Sequence, residues 1–194
     1  MANMSAKDQI ITLPNSRLRR KSKRITAISD EVKTVIEQMK VATLDWEATR
    51  EHELGVALAA IQIDKDYRIV IVRNDFDNKK DKRFAVFINP EIVKLEGEVE
   101  EDYEGCLSIT DVYGKVPRHT KVRLKALDEE GHELRVRAEG FLARVFQHEI
   151  DHTKGVMFVD HLAGKEDKFY KLTPEGKLEK LPYEQVQTAG ILRD

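Results

Sequence analysis

Cysteine occurs once in these 194 residues, so no internal disulfide can form, and the chain suits a reducing compartment. Charge of one sign is not in excess either. Lys and Arg number 33 against 35 Asp and Glu, a formal net charge of −2. That balance excludes a global basic field, and with it DNA as the main partner. No apolar run approaches the ~20 residues of a membrane span. The N-terminus lacks the apolar core of a secretory signal. These absences predict a cytoplasmic protein with no membrane partner. Repeats and linker-like stretches are missing too, so one domain is expected over residues 1–194. What is present is an ordinary apolar fraction of 41% and a high, sign-mixed charged fraction of 35%.

Residues 1–28 read as irregular, and the basic run Arg17 to Arg24 as a solvated surface segment, since no aromatic residues interleave it. Ser29 caps a helix with Asp30 and Glu31 in its first turn, and Val32, Val35, Ile36 and Met39 form its buried stripe. That helix runs to about Arg50, with Gly55 closing the region. Strands are expected at 68–73, at 84–88 (stopped by Asn89-Pro90) and at 91–95. Alternation at Val122, Leu124 and Ala126, and again at Leu134 and Val136, flanks the turn Asp128-Glu129-Glu130-Gly131 and predicts a hairpin. A second helix spans Phe141 to Thr153, apolar on much of its circumference and hence central, with Gly155 at its stop. The C-terminal extension, 163–194, holds a short hairpin around Thr173-Pro174-Glu175-Gly176. The class is α+β, with mostly antiparallel or mixed sheets packed around the central helix.

That second helix carries Gln147-His148-Glu149-Ile150-Asp151-His152. Four residues apart, His148 and His152 point the same way and can grip one metal ion, with Glu149 beside them as a general base. Solvated charge on a helix face is the plainer reading, but two histidines and a glutamate in an apolar helix are costly without partners. A third ligand decides the subclass. Phe158 stands where one large protease group has a third His, and Glu166, Glu175 and Glu179 lie in loop or hairpin. Cys106, in Glu104-Gly105-Cys106-Leu107-Ser108, is the better candidate, since Gly105 allows close approach of the backbone. A cysteine nucleophile with a histidine base is the alternative, as is an inert buried thiol. His52, His119, His132 and His161 fall in loops or turns and read as surface residues, and Trp46 as packing. Arg144, one turn before His148, is expected to face a substrate pocket and to pair with Asp102 or Glu104.

Together these segments resemble the peptide deformylase family, whose members carry Gly-x-Gly-Leu-Ala-Ala-x-Gln, Glu-Gly-Cys-Leu-Ser and Gln-His-Glu-x-Asp-His in that order. This chain has Gly55-Val56-Ala57-Leu58-Ala59-Ala60-Ile61-Gln62, then the segments at 104–108 and 147–152. The resemblance covers about residues 10–162. It implies a peptide-deformylase-like fold around the His-Glu-x-x-His helix. It also implies a hydrolase that removes the formyl group from the N-terminal methionine of nascent polypeptides. The implied ligands are Cys106, His148 and His152, around one divalent ion, Fe²⁺ foremost, with Zn²⁺, Ni²⁺ or Co²⁺ as alternatives. Glu149 is the implied base, and Gln62 and the Leu107 amide the oxyanion donors. Gly55, Val56, Ala57, Glu104 and Gly105 are implied at the substrate site.

One departure is Ala57 in place of the motif's second Gly. A methyl group there is expected to alter specificity or rate if the position needs close approach or positive φ. The extension at 163–194 reads as a decorative hairpin or as a docking element for the ribosome near its exit site. A relative acting on other N-acyl peptides, or a non-catalytic nascent-chain or ribosome binder, is the alternative function.

Overall fold

The computed structural model describes residues 9–193. Helix α1 (Asp30–Glu47) starts where the Ser29 hydroxyl accepts from the Val32 amide, with two acidic residues in its first turn. Val32, Val35, Ile36, Met39 and Ala42 are buried along one face, packed with Ile69 and Ile71. The helix stops at Glu47, short of the expected end near Arg50, and the Glu47 carboxylate turns inward to pair with Arg73.

Strands β1 (Ala57–Ala59), β2 (Ile69–Arg73), β3 (Phe84–Cys106), β4 (Ile109–Leu127), β6 (Phe169–Leu172) and β7 (Leu178–Lys180) follow one another across a single antiparallel sheet. Strand β5 (Glu133–Glu139) pairs with the far end of β4, Lys121 to Leu127, while β6 pairs with its near end, Val112 to Gly114. The expected 122–136 hairpin is this β4–β5 pair. The expected stop at Asn89-Pro90 is corrected. Strand β3 continues through it to Cys106, with a register shift between Ile88 and Glu91. Asn89 takes φ +53, and its amide side chain exchanges two 2.8 Å hydrogen bonds with the backbone of Ile25. Pro90 lies inside that bulge, where a missing N–H costs no ladder bond. Further shifts bend the β3–β4 arm, so that its outer end returns to the second helix.

Helix α2 (Gly140–Thr153) is buried from Ala143 to Ile150 and lies against β1, β2, β4 and β5. Phe146 meets Phe87 edge to face at 4.9 Å. The Gln147 amide clamps α2 to β4, donating to His119 O at 2.8 Å and accepting from His119 N at 3.1 Å. Gly155 ends the helix at φ +73, where a Cβ would stand 2.3 Å from Arg19 O. The basic run is thus not simply solvated. Arg19 bonds Asp160, Arg17 pairs with Asp64, and Leu18 between them is fully buried. After β7 comes α3 (Tyr183–Thr188), whose Val186 joins Leu18, Phe158 and Phe169 in one cluster.

Candidate active site and metal centre

Three elements converge at one point. Helix α2 supplies His148 and His152 from one face, and the β3–β4 turn supplies Cys106. The 3₁₀ turn after β1, Ala60–Ile63, supplies Gln62. Cys106 Sγ lies 3.3 Å from His152 Nε2, which lies 3.1 Å from His148 Nε2. The donor atoms of the three residues all fall within 4.8 Å of one another. A divalent cation fits this set. Tetrahedral metal–ligand bonds of ~2.0–2.3 Å imply ligand separations of roughly 3.3–3.8 Å, close to those seen.

Protonation supports the same fit. His148 Nδ1 lies 2.9 Å from a Glu104 carboxylate oxygen, which can only accept. A proton is thereby held on Nδ1, so that in the neutral ring Nε2, turned toward His152, is the nitrogen left to ligate. Burial opposes charge on His148, but contacts with Cys106 and Glu104 outweigh it and raise its pKa well above the ordinary value. Burial, then the neighbouring His148 charge, push His152 well below it. Two facing imidazole nitrogens with such opposed preferences are what a shared cation reconciles.

Glu104 is the hub of a buried network. Burial alone would raise its pKa, yet bonds from His148 and Arg118 hold it well below the carboxylate range. Arg118 donates to both Glu104 oxygens, at 2.9 and 3.1 Å, and to Asp151 at 2.6 Å. Arg144 donates to Glu104 at 2.9 Å and to the carbonyls of Val116 and Glu100 at 2.7 and 2.8 Å. Of the two partners expected for Arg144, Glu104 takes the salt bridge, while Asp102 offers only a backbone carbonyl at 3.4 Å. Both residues border the cavity, and their charges meet each other and His148. Sequence reasoning placed Glu104 at the substrate and missed this orienting role. The signal was available, since a ligating histidine usually bonds a carboxylate through its other nitrogen. His161 is likewise no plain surface residue: it lies 2.8 Å from Asp151 and extends the network. Half-buried His119 keeps an inward Nδ1 without a partner among the described residues.

Glu149 is buried beside the donors, and its Oε2 has no hydrogen-bond partner among the described residues. Burial pushes its carboxyl up to about 7, against the pull of His148. Gln62 is held by the Ala59 amide, which donates to its Oε1 at 2.8 Å. Its Nε2 then points to Ser108 Oγ at 3.1 Å and Cys106 Sγ at 3.5 Å. One cavity of about 270 Å³ opens over these groups, with Val56, Ala57, Gly105, Leu107, Arg144 and Val145 among its walls. Gly105 is needed for close packing, since a Cβ would sit 2.5 Å from the Tyr113 ring. Gly55 stands apart from the cavity walls. Its amide donates to Glu47 at 2.9 Å and its carbonyl accepts from Arg73 at 3.1 Å, so it anchors the loop instead.

Comparison with known proteins agrees with this geometry. A family model described as polypeptide deformylase matches residues 7–168. A peptide deformylase of Chromohalobacter salexigens is 40% identical over 167 residues, covering 86% of this chain and 92% of that protein. One from Rhodopseudomonas palustris is 42% identical over 158 residues, covering 80% and 85%. Among solved structures, a Synechococcus elongatus peptide deformylase in complex with actinonin superposes with a TM-score of 0.71 at 35% identity, covering 78% of each chain. A Legionella pneumophila peptide deformylase gives 0.69 at 38% identity, covering 79% and 84%. With a match this long and relatives this similar, the chain belongs to the peptide deformylase family.

Proposed function

We propose that this protein is a metal-dependent hydrolase that removes the formyl group from the N-terminal methionine of nascent polypeptides in the cytoplasm, releasing formate. The observation that carries the proposal is the meeting of Cys106, His148 and His152 beside the buried Glu149, whose Oε2 has no partner among the described residues, along one cavity. Cys106 Sγ and the two Nε2 atoms would hold the ion, with Fe²⁺ as first candidate and Zn²⁺, Ni²⁺ or Co²⁺ as alternatives. Bound there, the ion supplies Lewis acidity, lowering the pKa of water and polarising the formyl oxygen.

The chain's own groups do the rest. Glu149 takes the proton from the attacking water and returns it to the leaving amine, and a carboxyl near 7 suits both tasks. Gln62 Nε2 and the Leu107 amide donate to the oxyanion that develops from the formyl oxygen, and such a donor is commonly worth ~3 kcal/mol of barrier. Among the described strands β1 pairs with β2 alone, and the edge it leaves beside Val56 and Ala57, before the Ala59 amide is taken by Gln62, would receive the peptide backbone. The test is formate release from formyl-Met-Ala-Ser by protein prepared anaerobically and loaded with Fe²⁺. Turnover is expected. Full metal occupancy with no formate would reject the assignment.

A further inference from the structure

The family model ends at residue 168, and the β6–β7 hairpin begins at Phe169. The hairpin nevertheless reaches the cavity mouth at three places. Its turn bonds His52, whose Nε2 lies 3.1 Å from Pro174 O, and a Cβ on Gly176 would come within 2.8 Å of the same ring. Tyr170 meets Tyr103 edge to face at 4.8 Å. Tyr170 also pairs in register with Tyr113 of β4. His52, Tyr103 and Tyr113 all line the cavity that holds Cys106 and Glu149. The Tyr113 hydroxyl in turn donates to Glu53 at 2.7 Å, which ties β4 to the loop carrying His52.

We propose that the C-terminal hairpin is a specificity element of the active site, holding His52 and Tyr103 as an aromatic outer wall that binds substrate residues beyond the first two. This rests on the deformylase reading: with the formyl end at Glu149 and the donor cluster, His52 and Tyr103 stand on a wall of the same cavity, where the residues that follow can meet them. Tyr103 is 37% exposed and His52 is exposed, so both rings offer contact surface. An aromatic side chain at the third position therefore gains a contact that a dipeptide lacks.

Removing the hairpin outright is a poor probe, because its Phe169 is a core residue, as is Val186 of α3, which follows it. Two point variants serve instead. His52→Ala removes an exposed ring, and Gly176→Ala adds a methyl group at φ +75 against that ring. Formate release is measured on formyl-Met-Ala and formyl-Met-Ala-Phe, with thermal melts confirming folded protein. The kcat/KM ratio of tripeptide to dipeptide is expected to fall about fivefold in each variant, through KM. In the His52→Ala background, Gly176→Ala should lower it no further. If Gly176→Ala does not fold, His52→Ala alone decides. Equal losses on both peptides, or a His52→Ala ratio within about twofold of wild type, would overturn the proposal. Additive losses would overturn the hairpin's share in it. A wild-type enzyme that releases no formate from either peptide sinks the deformylase reading and this inference with it; an active one with an unchanged ratio sinks this inference alone.

Discussion

Two clusters of buried charge organise this molecule, and they end on different chemistry. In the first, the fully buried Arg73 pairs with Glu47, and the remaining bonds of both go to backbone: Gly55 N, Gly55 O and Asp81 O. In the second, Arg118 and Arg144 converge on Glu104, whose carboxylate goes on to an imidazole nitrogen of His148. The first fixes the path of a loop that leads to the cavity wall. The second fixes the tautomer and aim of a candidate ligand. Burial of charge alone does not separate them; the terminal acceptor or donor does. A buried ion pair that ends on peptide groups is architecture, and one that ends on a titratable ring acts on chemistry.

The sharpest test of that division uses a residue beside the second cluster that bonds to neither. Glu149→Gln removes a proton acceptor but none of the candidate ligands and none of the bonds that Arg118, Arg144 and His148 make to Glu104, so metal content should stay at wild-type level. Turnover should fall about 10³-fold, read as formate release per bound metal. Turnover within about tenfold of wild type would remove Glu149 as the base.

Next in size is Arg73→Met, which leaves the buried Glu47 carboxylate without its cation. Breaking a buried pair in this way costs about 3 kcal/mol, measured by urea unfolding. Metal affinity of the folded protein should be unchanged. A parallel loss of affinity would show the two clusters to be one unit. Glu104→Gln makes the converse case. The amide keeps the shape but weakens the orienting bond to His148, so metal affinity should fall about 10- to 100-fold. Titration with Co²⁺, followed by thiolate-to-cobalt absorption, measures it. Undiminished affinity would make the second cluster as architectural as the first.

Sequence patterns reached the two clusters unequally. The stripe on α1, the buried run of β2 and the apolar helix α2 are local periodicities, and two candidate donors follow from the four-residue spacing of His148 and His152. The β3–β4 arm was less legible. Residues 96–104 carry six acidic side chains and no steady alternation, and they are strand because β4 pairs with them, not because of their own pattern. Asn89-Pro90 reads as a stop until Ile25, 64 positions away, is seen to occupy the Asn89 amide. Glu104 and Gly55 are the same lesson at single residues. Each lies within a family motif, yet their partners, His148, Arg118, Glu47 and Arg73, are set by tertiary packing alone.

The smallest effect is expected at Ala57, two residues beyond the anchored Gly55. If the departure from the family's Gly were a strained compromise, restoring Gly would relieve it. The structure argues otherwise. Positive φ at non-glycine residues occurs, among the described residues, at Asp64, Asn89 and Asp111, so Ala57 sits in backbone that any residue adopts. Its methyl group is buried with Val70, Val72 and Phe146, and it also borders the cavity. Ala57→Gly therefore loses packing and gains unfolded-state entropy, which lowers stability by about 0.5–1 kcal/mol. On the substrate side one methyl group is at stake, so kcat/KM for formyl-Met-Ala-Ser should shift by less than about tenfold. A stability gain would mean that the loop anchored by Arg73 and Glu47 holds Ala57 under strain. The first cluster would then reach into catalysis after all, because the same anchor would be setting the shape of the cavity wall.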